Sequence, residues 1–326
     1  MQRFKIIGTG SYLPDNVVTN DDLAKTLDTS DAWIRERTGI RARRYAPAEA
    51  ATSDLAAEAL RRACTDAGMT PEGLDAIIVG TCSQDTIFPS TACWVQEKLQ
   101  VRGMPAFDVM AGCTSWMYGL KVAADMIAGN PSLKVGVIGA EMFSRILDFE
   151  DRRTCVLFGD GAGATVLTGT DGDTGLLASN WGSDGTLASI LQVPAGGSAK
   201  PATHATVDAR EHFVYMEGSK VFKNAVTAMS SGMLQALSDA SLGPDDIDVF
   251  IPHQANKRIM DACLDRTRID EAKVYSVLEN YGNISAASIP VAIDEARKAG
   301  ALKDGQTLAV TAFGTGLTWG AGVLRM

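Results

Sequence analysis

Histidine is scarce in this chain: His204, His212 and His253 are the only three in 326 residues. None of the six cysteines forms a Cys-x-x-Cys pair, and His204 and His212 are not spaced with them as ligands, which argues against a zinc site. Positive charge is in deficit as well. Lys and Arg number 30 against 39 Asp and Glu, and the formal charge of −9 argues against a general nucleic-acid binder. No apolar run reaches membrane-spanning length, and the opening Met1-Gln-Arg-Phe4-Lys-Ile-Ile-Gly8 reads as a first strand rather than a basic segment with a long apolar stretch behind it. The expectation is a cytoplasmic enzyme without metal, membrane or nucleic-acid partner.

What is present is core material. Hydrophobic residues make up 46% of the chain and charged residues 21%, the balance of a soluble globular protein with ample sequence for a buried interior. The sequence also repeats itself. Ala67-Gly-Met-Thr-Pro71-Glu-Gly-Leu-Asp75-Ala-Ile-Ile-Val79 aligns without gaps on Ala240-Ser-Leu-Gly-Pro244-Asp-Asp-Ile-Asp248-Val-Phe-Ile-Pro252, an offset of 173 residues. The same offset carries Val135-Gly-Val-Ile-Gly139 onto Leu308-Ala-Val-Thr-Ala312, and Gly161-Ala-Gly-Ala-Thr-Val-Leu167 resembles Gly320-Ala-Gly-Val-Leu324.

Each half reads helix, proline-marked turn, buried apolar strand, loop, helix, strand and a glycine-rich strand pair. Helices separating short apolar strands indicate α/β layering with strands covered on both faces. The halves fall at residues 1–170 and 171–326. The segment 171–218, with Pro194-Ala-Gly-Gly-Ser-Ala-Lys200-Pro-Ala, reads as the connection plus loops near the site.

Three distant segments carry candidate chemistry: Asp108-Val-Met-Ala-Gly-Cys113-Thr-Ser-Trp116, His253-Gln-Ala-Asn256 and Tyr281-Gly-Asn283-Ile-Ser-Ala-Ala-Ser-Ile-Pro290. The repeat places all three in strand-end loops, where open α/β sheets gather their sites. A free thiol ionises near pH ~8.5, so only about 3% is thiolate at neutrality. Cys113 precedes an apolar helix, whose N-terminal N–H groups and dipole favour the thiolate and can hold an oxyanion. Asn256, three residues after His253, shares its side if the segment turns helically. Two local cationic runs stand out, Arg35/Arg37/Arg41/Arg43/Arg44 and Lys257/Arg258. Phe158-Gly-Asp-Gly-Ala-Gly163 lacks the order of a dinucleotide-binding turn and reads as a tight strand entry.

With Gly8-Thr-Gly-Ser-Tyr-Leu-Pro14, Thr29-Ser-Asp-Ala-Trp33-Ile-Arg-Glu-Arg37-Thr-Gly-Ile-Arg41 and Phe313-Gly-Thr-Gly316-Leu-Thr-Trp-Gly320, these segments resemble, over nearly the whole chain, the β-ketoacyl-ACP synthase III family of the thiolase superfamily. The resemblance implies a thiolase-like fold of two pseudo-symmetric halves in five layers, α-β-α-β-α, assembled as a homodimer. It implies an acyltransferase of fatty-acid biosynthesis that condenses an acyl-CoA starter with malonyl-acyl carrier protein, losing carbon dioxide, with coenzyme A thioester as substrate and no cofactor. Carried over, Cys113 is the acyl acceptor, and His253 and Asn283 stabilise the enolate. The Gly314-Thr315-Gly316 turn contributes to the oxyanion hole. Trp33, Arg37, Arg152 and Asn256 meet coenzyme A, Phe88 floors the acyl tunnel across a dimer interface, and Arg258 docks the carrier protein.

Some residues depart from the family pattern. Ser115 stands where glycine is usual after Cys-Thr, Thr315 interrupts a Gly-Gly-Gly turn, and Met110 replaces a polar residue. These are expected to alter the acyl tunnel rather than abolish transfer. A synthase-III-like enzyme of specialised metabolism, passing an acyl group to another carbon, oxygen or nitrogen nucleophile, is the alternative. A non-catalytic partner subunit would be expected to lose the nucleophile that this chain keeps.

Overall fold

A computed structural model describes residues 1–326. Nine strands pair in one hydrogen-bonded array, in spatial order Val249–Pro252, Thr307–Gly314, Thr318–Arg325, Gly175–Ser183, Gln2–Tyr12, Asp160–Gly169, Lys134–Met142, Ala76–Gly80 and Ala106–Val109. The array is hinged at two residue pairs, Gln2–Leu176 and Arg3–Gly175, and so works as two sheets. Ala76–Gly80 runs parallel to both its neighbours, as Val249–Pro252 does to Thr307–Gly314.

Every residue of Ala76–Gly80 is buried, as expected for a strand covered on both faces. Alternate side chains feed different cores. Ile77 and Val79 pack outward with Leu55, Leu60 and Val95 from helices Thr52–Asp66 and Thr91–Leu99. Ile78 points inward to a central cluster that includes Trp116, Leu120, Ile289 and Ile293, together with Ile251 and Val310 of the other sheet. Helices Ser115–Gly129 and Ser288–Lys298 therefore lie between the sheets. Gly218–Asp239 and Lys257–Thr267 cover the far face, where Met229, Met233 and Ile259 meet Phe250 and Val323. The layers are α-β-α-β-α, as the resemblance implies. No helix is long and apolar enough to cross a membrane.

The 173-residue offset is structural: the two central helices begin at Ser115 and Ser288. It also corrects the reading of 171–218 as connection. Gly175–Ser183 is an integral strand, and Gly175 lies 173 residues after Gln2, the start of the first half's opening strand. Between that strand and helix Gly218–Asp239 lie a 3-10 helix, Gly185–Ile190, a short helix, His204–Asp208, and two short paired strands, Leu191–Gln192 and Tyr215–Met216, joined by loops. The halves differ at one edge. Where the first half has strand Ala106–Val109, the second has a single bridge, Phe250 to Val274.

The layers approach closely at Gly139, where an added Cβ would sit 2.1 Å from the Ala286 carbonyl oxygen. Backbone cannot give way there as a flexible side chain could. Gly139→Ala should cost about 1–3 kcal/mol by overpacking, read as a lower urea midpoint with unchanged slope.

Candidate active site

Chain leaving Ala106–Val109 turns at Ala111-Gly112-Cys113 before helix Ser115–Gly129. Ser115 clamps this turn, its Oγ accepting from the Ala111 N–H at 2.8 Å and donating to the Gly112 carbonyl at 2.6 Å. Gly112 has φ +62, and a Cβ there would meet the Thr315 nitrogen at 2.4 Å. A Cβ on Gly314 would meet the Cys113 nitrogen at 2.4 Å. The Gly314-Thr315-Gly316 turn thus lies directly against the cysteine backbone. Thr315 donates its hydroxyl to the Leu191 carbonyl, tying the turn to the loops beyond.

His253 follows Val249–Pro252, its backbone N–H donating to the Thr311 carbonyl at 2.7 Å. Gln254 pins the loop by donating to the Pro252 carbonyl and accepting from Ser276 and the Val277 N–H. The His253 Nδ1 lies 2.8 Å from Ser288 Oγ, and Ser288 donates its one hydroxyl proton to the Ser285 carbonyl at 2.9 Å. That arrangement assigns the proton to Nδ1 and leaves a lone pair on Nε2. Rotation of the Ser288 hydroxyl toward Nδ1 supports the other tautomer, with Nε2–H as donor. Burial pushes the imidazole down to about 3, so it is neutral across the physiological range. The segment 253–256 is not a helical turn, as the spacing suggested: Asn256 is extended and caps helix Lys257–Thr267, accepting from the Ile259 N–H at 3.0 Å.

Asn283 is held by both backbone groups, its N–H on the Leu157 carbonyl at 2.9 Å and its carbonyl on the Gly159 N–H at 3.0 Å. Its side-chain oxygen accepts from the Ser285 N–H at 2.9 Å, which fixes the amide orientation and leaves the NH2 group as the free donor. Ser285 in turn donates to Glu141 at 3.0 Å. Sequence reasoning passed over Glu141, Ser285 and Ser288. The one available signal was a carboxylate that follows an uncharged run, residues 135–140, inside the strand Lys134–Met142.

Cys113, His253 and Asn283 line one cavity of roughly 360 Å³, with Asn256, Arg258 and Phe313 also on its wall. A second cavity, roughly 570 Å³, also reaches Cys113, past Cys82, Met110, Phe143, Ile146 and Val193. The thiol therefore sits where two spaces meet. Burial pushes it up to about 12; Ser285 hydrogen bonding opposes the rise and the Glu141 charge adds to it. The helix end alone suggested a lowered value, but enclosure outweighs it. Thr315 faces the second cavity, whereas Ser115 is turned inward on the cysteine loop.

Arg37 lies 4.5 Å and Arg152 5.3 Å from the Trp33 ring centroid, both direct cation–π contacts. Arg152 also bonds Asp28. The indole and the two guanidinium groups, which the resemblance assigns to coenzyme A, thus pack on one another here. The neighbouring arginines are not a free cationic patch: Arg35 pairs with Asp31, Arg41 with Glu279, and Arg43 is buried against the Val18 and Val156 carbonyls. Arg258 lies over Phe222 on the first cavity wall. Phe88 is 83% exposed and lines neither cavity in the single chain.

Five layers, with a cysteine, a neutral imidazole and an amide donor at their centre, define a thiolase-like condensing acyltransferase. Residues 107–185 match the 3-oxoacyl-[acyl-carrier-protein] synthase III family, and residues 237–326 match the C-terminal part of that family. The chain is 49% identical over 320 residues to the β-ketoacyl-[acyl-carrier-protein] synthase III of Caldanaerobacter subterraneus subsp. tengcongensis, covering 98% of this chain and 97% of that one. Among solved structures it is similar to the 3-oxoacyl-[acyl-carrier-protein] synthase III of Aquifex aeolicus, with TM-score 0.91, 43% identity and coverage of 99% and 100%. It is also similar to the priming β-ketosynthase of the R1128 polyketide pathway, with TM-score 0.90, 32% identity and coverage of 99% and 96%. The chain belongs to the β-ketoacyl-ACP synthase III family.

The buried imidazole gives a stability signature. A pKa lowered from 6.5 to about 3 means that the unfolded chain takes up a proton that the fold refuses. Stability is complete above pH 6.5 and is lost as pH falls toward 3, by at most roughly 5 kcal/mol from this group. His253→Gln should flatten that part of a melting-temperature profile, while leaving the neutral-pH midpoint within a few degrees.

Proposed function

We propose that this chain condenses an acyl-CoA starter with malonyl-acyl carrier protein, releasing carbon dioxide and giving a β-ketoacyl-carrier protein at the start of fatty-acid assembly. The observation that carries this reading is the common cavity of Cys113, His253 and Asn283, with the amide of Asn283 oriented as a donor. Family membership supports the same substrates.

In the first half-reaction the Cys113 sulfur attacks the thioester carbonyl, the oxyanion is held by backbone N–H groups of the cysteine and the Gly314–Gly316 turn, and coenzyme A leaves. In the second, malonyl-carrier decarboxylates, and its enolate oxygen accepts from the Asn283 NH2 and from His253 in its Nε2–H tautomer. Neutral donors suit this step: an imidazolium could protonate the carbanion before it reaches the acyl group. The carbanion then attacks the Cys113 thioester and the thiolate is expelled.

Trp33, Arg37 and Arg152 are assigned to coenzyme A, whose adenine must displace Arg152 to stack on the indole. Asn256 borders the pantetheine path, and Arg258 at the cavity wall is assigned to the acidic carrier protein. Exposed Ile87, Phe88 and Met110 beside the second cavity are read as the face a second copy covers, with the partner's Phe88 closing the acyl space. A cytoplasmic homodimer is the working assembly.

Intact-mass analysis after incubation with mixed short acyl-CoAs should show one acyl increment, mapped to Cys113 and absent from Cys113→Ala. Labelling that persisted at another cysteine would overturn the assignment. Asn283→Ala should keep this acylation and lose about 100-fold or more in malonyl decarboxylation. Equal loss in both steps would contradict the division of labour. Arg258→Glu should weaken carrier-protein use and spare acylation by CoA thioesters.

A further inference from the structure

Behind Cys113 lies a carboxylate with no part in either half-reaction above. Glu141 is fully buried, and no Lys, Arg or His pairs with it. It accepts from Ser83 Oγ at 2.6 Å, Ser285 Oγ at 3.0 Å, the Cys82 N–H at 3.1 Å and Thr81 Oγ1 at 3.3 Å. Cys82 and Cys113 are the titratable groups that face it. A buried carboxylate without a cation is a costly group, and a turn at Thr81–Ser83 could be anchored by a neutral side chain.

Ser285 explains its position. Ser285 lines the second cavity together with Cys113, within hydrogen-bonding reach of its sulfur, and its hydroxyl donates to Glu141. In the resting chain its single proton points to the carboxylate, so there it accepts from the thiol; turned toward an ionised sulfur the same hydroxyl donates, and in that sense it opposes the rise of the thiol. The order of the chain is thus S–H to Oγ, and Oγ–H to carboxylate.

Resting on the condensing reading, we propose that Glu141, acting through Ser285, is a positioning and proton-holding residue for the Cys113 thiol. As the sulfur attacks the acyl-CoA carbonyl, the thiol proton passes to Ser285 Oγ while the Ser285 proton passes to Glu141. The departing coenzyme A thiolate takes its proton from solvent. When the condensation step expels the Cys113 thiolate, the same pair of transfers runs backward, restoring the thiol and the carboxylate. Protons balance over the cycle, with the one consumed ending on coenzyme A.

The residues divide by side. His253 and Asn283 face the first cavity, where the enolate forms; Ser285, Cys82 and Ser83 face the second. The imidazole, neutral from about pH 3 upward, cannot give a titration near neutrality. Burial raises Glu141 to about 7, so its occupancy changes where the enzyme works.

The test compares the wild-type chain with Glu141→Gln and Ser285→Ala. The rate of acetyl transfer from acetyl-CoA to Cys113, and separately of iodoacetamide alkylation of Cys113, is followed from about pH 5.5 to about 9 by mass and peptide mapping. The wild type should show an inflection near pH 7 in both rates. Both variants should lose it, with acylation at about pH 7.5 slower by about 100-fold. Ser285→Ala leaves the carboxylate on Cys82 and Ser83, so it decides the matter even if Glu141→Gln fails to fold. A wild-type inflection retained in Ser285→Ala makes Glu141 a turn anchor only and overturns the proposal. If the wild type alkylates with the inflection but takes no acetyl group, the condensing reading fails while the relay stands.

Discussion

Two backbones must come closer at the centre of this molecule than any side chain allows, and the rest of the site hangs on that approach. Gly112 meets the Thr315 nitrogen, and Gly314 meets the Cys113 nitrogen, each at a distance where a Cβ would overlap backbone. Gly139 does the same against the carbonyl of Ala286, two residues before Ser288. Close contact brings the nucleophile of the first half onto the glycine turn of the second, and the Asn283–Ser288 loop of the second half onto a strand of the first. Directed N–H groups and a fixed amide result from it. A looser junction would leave the same residues in place with their donors aimed elsewhere.

Enclosure then sets the charge states. Cys113, His253 and Glu141 are all driven toward their uncharged forms by burial, the thiol and carboxyl upward and the imidazole downward. A site of neutral groups can form and collapse anions without a resident ion pair to rearrange. It also means that thiolate is not a resting species, and the proton must go somewhere at the moment of attack. That requirement gives Ser285 and Glu141 a use that packing does not.

Much of this was legible in the sequence, because duplication leaves a measurable offset. Cys113, His253 and Asn283 lie in strand-end loops that the 173-residue repeat brings together. The same offset would have revealed Gly175–Ser183 as the partner of Gln2–Tyr12, but its Asn180-Trp-Gly-Ser183 half lacks an apolar pattern, since only the first two residues of the strand are buried. Glu141 was hidden for the opposite reason, after an uncharged run, residues 135–140, beside which one carboxylate reads as a strand end. Asn256 misled through spacing: three residues suggest a helical turn, whereas the helix begins only after it. The arginine run misled through proximity in sequence, because a short strand and a turn send Arg35, Arg41 and Arg43 to separate partners. Burial of the thiol had no sequence signal; helix ends are visible in a chain, enclosure is not.

Departure from symmetry is what makes the duplicated frame a catalyst. The central helices begin at Ser115 and Ser288, equivalent positions with different tasks: one clamps the turn that carries the cysteine, the other holds the histidine. Had the second half kept an edge strand in place of Ala106–Val109, residues near 279–282 would be spent on pairing with Val249–Pro252. Only Val274 makes that bridge. The chain beyond it leaves its own sheet, and Asn283 bonds instead to Leu157 and Gly159 of the first half. Loss of one strand thereby supplies the length that carries an amide donor across the pseudo-two-fold axis to the other half's thiol.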